Sequence, residues 1–192
     1  MYYDLSDAAN LLEGQPMFKI RATIAENVSL ILMDRDESIK KEIKNIVDLI
    51  RLIREYEPQV MEFTPSRLLS YLDIDDFCDV IGCAKCIVMG GEQFSAKAFE
   101  GVKKYCDAHV YNSYGPTEAT IASNYKEITD PYNITVGKAL KNYVTEVRDI
   151  DGKLLPQGVM GELYIGGVGV GKGYYNMEDK TREVYLYINE IP

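Results

Sequence analysis

The sequence predicts an α/β fold, a largely parallel sheet portion followed by a smaller β-rich portion. Three observations carry this. Between about residues 29 and 115, short apolar runs of strand type alternate with helical patterns, the signature of a parallel α/β layer. After Thr120 the helical patterns give way to strand-like runs punctuated by glycine and proline. The 192 residues, 46% hydrophobic and 27% charged, suit a folded chain with enough length to bury a real core. The two portions are expected at residues 1–128 and 129–192, with the junction falling between 125 and 136.

The elements follow in order. Ser29 to Met33, SLILM, reads as a short buried strand. Ser38 to Glu57 reads as one helix, since Ile39, Ile43, Ile46, Val47, Ile50 and Ile53 recur at helical spacing and Pro58 stops it. Its Lys, Glu and Arg residues form the solvent side, so the helix needs no function. Val60 to Phe63 is a strand, and Pro65 opens a helix carrying Leu68, Leu69 and Leu72. Cys86 to Met89 is a strand running into Gly90-Gly91-Glu92; Ser95 then caps a helix to about Tyr105. His109 to Asn112 is a strand that ends in a turn at Ser113-Tyr114-Gly115-Pro116. Beyond it, Ile121 to Ile128, Val144 to Arg148 and Glu162 to Ile165 are strand-like, with Asp151-Gly152 as a hairpin turn signal and a helix over Glu178 to Val184.

The bulk chemistry removes several function classes. A net charge of −9 and scattered basic residues argue against a nucleic-acid partner, which needs clustered Lys and Arg. No apolar run is long enough to cross a membrane as a helix. The opening MYYDLSDAAN lacks the pattern of a signal peptide, so a cytoplasmic location is expected. Of the four cysteines, Cys83 and Cys86 form C-x-x-C, half of a zinc or redox motif. No second pair exists and His109 is the only histidine, so reduced, partly buried thiols at Cys78, Cys83, Cys86 and Cys106 are expected.

Two stretches invite a phosphate-binding reading. YIGGVGVGKGYYN, residues 164–176, contains G-x-x-x-x-G-K but has Gly173 where a P-loop needs Ser or Thr to hold Mg²⁺. It also leads into GYYN rather than directly into a capped helix, which leaves Lys172 a surface cation. YNSYGPTEATIAS, residues 111–123, is the better candidate. In an open α/β sheet, ligands bind beyond the carboxyl ends of strands. An aromatic ring at Tyr114 can stack on a base, the hydroxyl of Thr117 can meet a phosphate oxygen, and the carboxylate of Glu118 can ligate Mg²⁺. A plain capped loop remains the alternative on these residues alone.

NSYGPTE resembles the N-x-Y-G-P-T-E motif of adenylate-forming enzymes, in the form typical of nonribosomal peptide synthetase adenylation domains. FTPSRLL and VMGGEQFS upstream resemble the T-P-S and G-G-E segments of that family. Downstream, VGKALKNYVTEVRDIDGKLLPQGVMGELYIGGVGVGKGYYN resembles the stretch leading into G-E-L-x-I-x-G-x-G-x-A-R-G-Y, with Gly171-Lys172 in place of Ala-Arg. The resemblance covers about residues 60–190 and implies part of the family's large domain, an α/β portion followed by a distorted β-barrel.

The resemblance implies a ligase that joins a carboxylate to ATP, giving an acyl-adenylate and pyrophosphate, with ATP and Mg as cofactors. By position, Tyr114 would pack on adenine, with Asn112 near its amino group and Gly115 beside it. Thr117 would contact the α-phosphate, and Glu118 would hold Mg²⁺. Gly90, Gly91 and Glu92 would flank nucleotide and substrate. Glu62, Ile87, Met89, Ser113, Ile121 and Ala122 would line the amino-acid pocket, without naming the amino acid. Tyr3-Asp4-Leu5-Ser6 fits the family's Y-D-x-S, whose aspartate meets the substrate's amino group. The spacing that follows Asp4 departs from the family, which keeps a plain solvated Asp4 open. The family's glycine-rich phosphate loop, its Y-x-T-G-D and its mobile lysine-bearing domain have no match here, so an internal piece of an adenylation domain is expected. Alone it would adenylate little, and in its parent it would meet the rest of that domain and a carrier domain. The apolar face left for the missing part makes self-association an expectation. A non-catalytic remnant, or a piece of an acyl-CoA or D-alanyl-carrier ligase, is the competing reading.

Overall fold

The computed structural model describes residues 45–186. The expected strand at Ser29 to Met33, Asp4 and the first part of the Ser38–Glu57 helix lie outside them. The described residues form two compact units. One comprises residues 45–114 with Asn124–Lys138; the other comprises Gly115–Ser123 with residues 139–186.

The first unit begins with α1, Ile46–Tyr56. Asn45 is extended (φ −158°) and its side-chain oxygen accepts from the N–H groups of Val47 and Asp48, so a helix starts here. A single continuous helix over Ser38–Glu57 is therefore not formed: a capping asparagine saturates the first free N–H groups and breaks the run. The buried stripe is Leu49, Ile50, Leu52 and Ile53, while Val47, expected inside, is 69% exposed. Glu57 closes the helix in the left-handed region, ahead of Pro58.

Then come β1 (Val60–Phe63), α2 (Pro65–Tyr71), α3 (Asp75–Ile81), β2 (Cys86–Gly90), α4 (Ala96–Tyr105) and β3 (His109–Tyr114). β1 pairs with β2 and β2 with β3, both parallel. β4 (Asn124–Glu127) pairs antiparallel with β3, and β5 (Lys138–Ala139) follows at that edge. This is the mainly parallel α/β sheet that the strand–helix alternation predicts. The short α3 was not expected from the sequence. Nor does β3 end at Asn112: Ser113 and Tyr114 continue it, paired with Tyr125 and Asn124. The run Ile121 to Ile128 is a strand only over Asn124–Glu127, because Thr120 (φ 57°) and Ile121 (φ 73°) are left-handed.

Alternation along the strands sends side chains to two faces. Met61, Phe63, Ile87, Met89 and Val110 join the helical residues Leu49, Ile53, Leu68, Phe77, Ile81 and Val102 in the main core. Phe77 sits among the rings of Phe63 and Tyr71, with centroids 6.1 and 5.3 Å away. The other face carries Cys86, Val88 and Tyr111, with Val60 and Tyr125 against them. All four cysteines are free thiols; those of Cys78, Cys83 and Cys106 donate to the carbonyls of Leu72, Pro58 and Ala84.

The second unit holds an antiparallel pair, β6 (Tyr143–Arg148) and β7 (Glu162–Gly167), and the helix α5 (Glu178–Val184). Asp149 and Lys153 close the turn after β6, with Gly152 at φ 78° as the hairpin signal requires. Among the described residues, no helix is long and apolar enough to cross a membrane.

Candidate functional site

The carboxyl ends of β1, β2 and β3 bring several expected site residues together in the first unit. Glu62 lies in register with Val88, and Val88 with Tyr111, so these three share one face. Gly90 and Ser113 form the next row of that face. Ile87 and Met89, by the same alternation, point the other way and are wholly buried in the main core. The expected pocket lining is thus divided: Glu62 and Ser113 on one side of the sheet, Ile87 and Met89 on the other. Burial among apolar neighbours pushes the Glu62 carboxyl above its ordinary range.

Gly90 is constrained by its neighbour, since an added Cβ would lie 3.3 Å from the Ser113 side chain. Gly91 turns at φ 79°. The next residue, Glu92, is committed to the start of α2: one carboxylate oxygen accepts from the Ser66 hydroxyl at 2.8 Å, the other from the Ser66 N–H at 3.0 Å. Those bonds hold its pKa below the usual carboxylate value. Asn112 is buried, and its amide donates to the Thr135 carbonyl at 2.9 Å, fastening β3 to the segment after β4. Tyr114 ends the strand partly exposed.

The chain continues from Tyr114 into the second unit. There Thr117–Ala119 form one tight 3₁₀ turn, which leaves Thr117 exposed and Ala119 buried. Gly115 is required by close approach: a Cβ on it would lie 2.7 Å from both the Ile121 carbonyl and the Ser123 N–H. Of the two remaining pocket candidates, Ile121 is 69% exposed and Ala122 is buried.

The glycine stretch after β7 folds onto this turn. Gly171 N–H donates to the Glu118 carbonyl at 2.7 Å, and the Thr120 hydroxyl donates to the Gly169 carbonyl at 2.5 Å. The Tyr143 hydroxyl donates to the Ala119 carbonyl. Tyr174 goes further and gives its hydroxyl proton to the Glu118 carboxylate. That bond holds the Glu118 carboxyl below its ordinary range and pushes the Tyr174 phenol up to about 12. Tyr174 is a site residue that the sequence reading did not find. Its signal in the sequence is the final tyrosine of the match to A-R-G-Y.

Glu118 suits a shared magnesium ion. It is an oxygen donor whose carboxyl is held below its ordinary range, on a partly exposed turn, and Mg²⁺ is commonly held by one or two carboxylates together with substrate phosphates. A ready-made cage is absent among the described residues: no group of three or more His, Cys, Asp or Glu is placed to hold a metal.

The profile of the AMP-binding enzyme family matches residues 19–175. The chain belongs to that family. Among its relatives, bacitracin synthase 2 of Bacillus licheniformis is 35% identical over 146 residues, which is 74% of this AMP-binding chain and 5% of that protein. Bacitracin synthase 1 of the same species is 34% identical over 187 residues, covering 92% of this chain and 3% of that one. The chain therefore spans a few per cent of the length of these synthetases. A solved structure, that of holo-AB3403, a four-domain nonribosomal peptide synthetase bound to AMP and glycine, superposes with a TM-score of 0.66. The two are 29% identical, and the match covers 74% of this AMP-binding chain and 11% of the other.

Proposed function

We propose that this chain supplies part of an amino-acid-activating adenylation domain of a nonribosomal peptide synthetase. The observation that carries the reading is the tight turn bearing Thr117 and Glu118, which continues directly from the carboxyl end of β3. In the reaction, a carboxylate oxygen of the amino acid attacks the α-phosphorus of ATP. The bond from that phosphorus to the bridging oxygen breaks, and pyrophosphate leaves with the electron pair.

Little covalent work falls to side chains in such a displacement; positioning and charge stabilisation do most of it. Tyr114 offers a ring face to adenine, and Asn112 lies two residues before it on the same strand. Thr117 presents a hydroxyl to the α-phosphate. Glu118 would hold Mg²⁺, which neutralises the charge gathering on the phosphates. Gly90 and Gly91 give the backbone a close approach to nucleotide and substrate, with Glu92 fixing their loop. Of the expected lining residues, Glu62 and Ser113 share one face of the sheet, and in this reading they would sense the amino acid. The aminoacyl product would pass to a carrier domain of the intact protein.

ATP–pyrophosphate exchange on the intact protein, with a panel of amino acids, tests this. Exchange with one amino acid, lost in Glu118→Gln, is expected. No exchange with any amino acid overturns the reading.

A further inference from the structure

We infer that Tyr174 is the positioning residue for Glu118, its phenol fixing the carboxylate in the orientation from which it meets a divalent cation. The inference rests on the reading of Glu118 as the metal-binding carboxylate.

Glu118 is gripped at both ends by one short segment. Its backbone carbonyl accepts from Gly171 N–H at 2.7 Å, and its side chain accepts from the Tyr174 hydroxyl. A carboxylate on a partly exposed turn would otherwise sample several rotamers, and a cation would have to order it on binding. The phenol is itself held. Tyr185 meets its ring edge to face, with centroids 5.7 Å apart. The Lys180 ammonium stands 4.7 Å from the ring centroid. Tyr174 N–H donates to the Thr181 hydroxyl oxygen at 2.9 Å, and that hydroxyl donates on to the Met177 carbonyl. Gly173, at φ 126°, lets the chain pass where any Cβ would strike the Thr181 side chain. The sequence between Gly171 and Thr181 therefore serves to place one hydroxyl against one carboxylate.

Carboxylates that ligate metals are commonly oriented by such an outer hydrogen bond, and losing it lowers metal affinity by about 10–100-fold. A merely structural staple would behave differently: its loss would lower the melting temperature and leave metal affinity alone.

Mn²⁺ binding to the intact protein in the presence of ATP, read from the water-proton relaxation enhancement over that of Mn²⁺·ATP alone, separates the two. Tyr174→Phe keeps the ring and removes the hydroxyl. It should raise the Mn²⁺ dissociation constant about tenfold or more. Glu118→Gln should abolish this binding, and the double variant should be no worse than Glu118→Gln alone. Tyr175→Phe, next in the chain and 92% exposed, should match the wild type. Wild-type affinity in Tyr174→Phe, with Glu118→Gln defective, overturns the inference and leaves the Glu118 reading standing. Wild-type affinity in Glu118→Gln, or no binding in the wild type, overturns both. Should Tyr174→Phe fail to fold, the ¹³Cζ resonance of Tyr174 in the wild type carries the test. It should move on addition of Mg²⁺ and ATP, and a stationary resonance overturns the inference.

Discussion

A carboxyl group set on an apolar sheet face carries a stability term that depends on pH. Glu62 is in register with Val88, and burial raises its folded pKa above the ordinary glutamate value. Between those two values the folded protein holds a proton that the unfolded chain has released. The favourable contribution is complete below the ordinary glutamate range and is lost as pH rises through the folded pKa. Glu62→Gln should therefore melt higher than the wild type near about pH 7, and the gap should close toward about pH 4. Thermal melts of both proteins across that range check it; a constant gap would sink the idea. At this scale the sequence showed which residue types were present but not what they would touch. Asn112 and Glu92 stood out for their place in motifs, yet one holds the Thr135 carbonyl and the other the start of α2. Both partners lie more than twenty positions away in the chain, and no local pattern records them. Tyr174 closes the match to A-R-G-Y, but its partner Glu118 lies 56 positions away and no local pattern records that contact.

Elements were legible where local signals were strong. Val60–Phe63, Pro65–Tyr71 and Ala96–Tyr105 begin where the apolar pattern, Pro65 and Ser95 place them. The errors came where two signals competed. The isoleucine periodicity ran across Asn45, and the cap prevailed because its side chain satisfies two N–H groups that a continuous helix would have satisfied otherwise. Asn45→Ala should cost about 1 kcal/mol of stability, and Asn45→Gly only a few tenths, measured by denaturant unfolding. Equal losses in the two variants would show that the cap does not set the helix start. Ile121 looked like a strand residue because β-branched residues favour strands, but tertiary context overrode that preference. Left-handed backbone at two consecutive β-branched residues is costly, of order 1–3 kcal/mol each. The turn is anchored by its bonds to Gly169 and Gly171.

For the molecule as a whole, the alternation of strand and helix was enough to read a parallel α/β layer, because each parallel connection needs a crossover helix. The division of the chain was harder to read, since residues 115–123 leave the first unit and residues 124–138 return to it. The units also differ in how they are held. The first buries a continuous apolar cluster, while the described buried apolar residues of the second are Ala119 and Ala122. A two-stranded ribbon with little apolar cover is marginal. Amide hydrogen exchange should run about 100-fold faster in β6 and β7 than in β2 and β3, roughly 2.7 kcal/mol in opening free energy. Equal protection would refute this. The sulfur atoms divide in the same way: all four cysteines lie between Cys78 and Cys106, in the first unit, and none in the second. A thiol-reactive dye is consequently a one-sided clock. It registers the opening of the sheet and its helices and stays silent while the glycine stretch and its hairpin open and close.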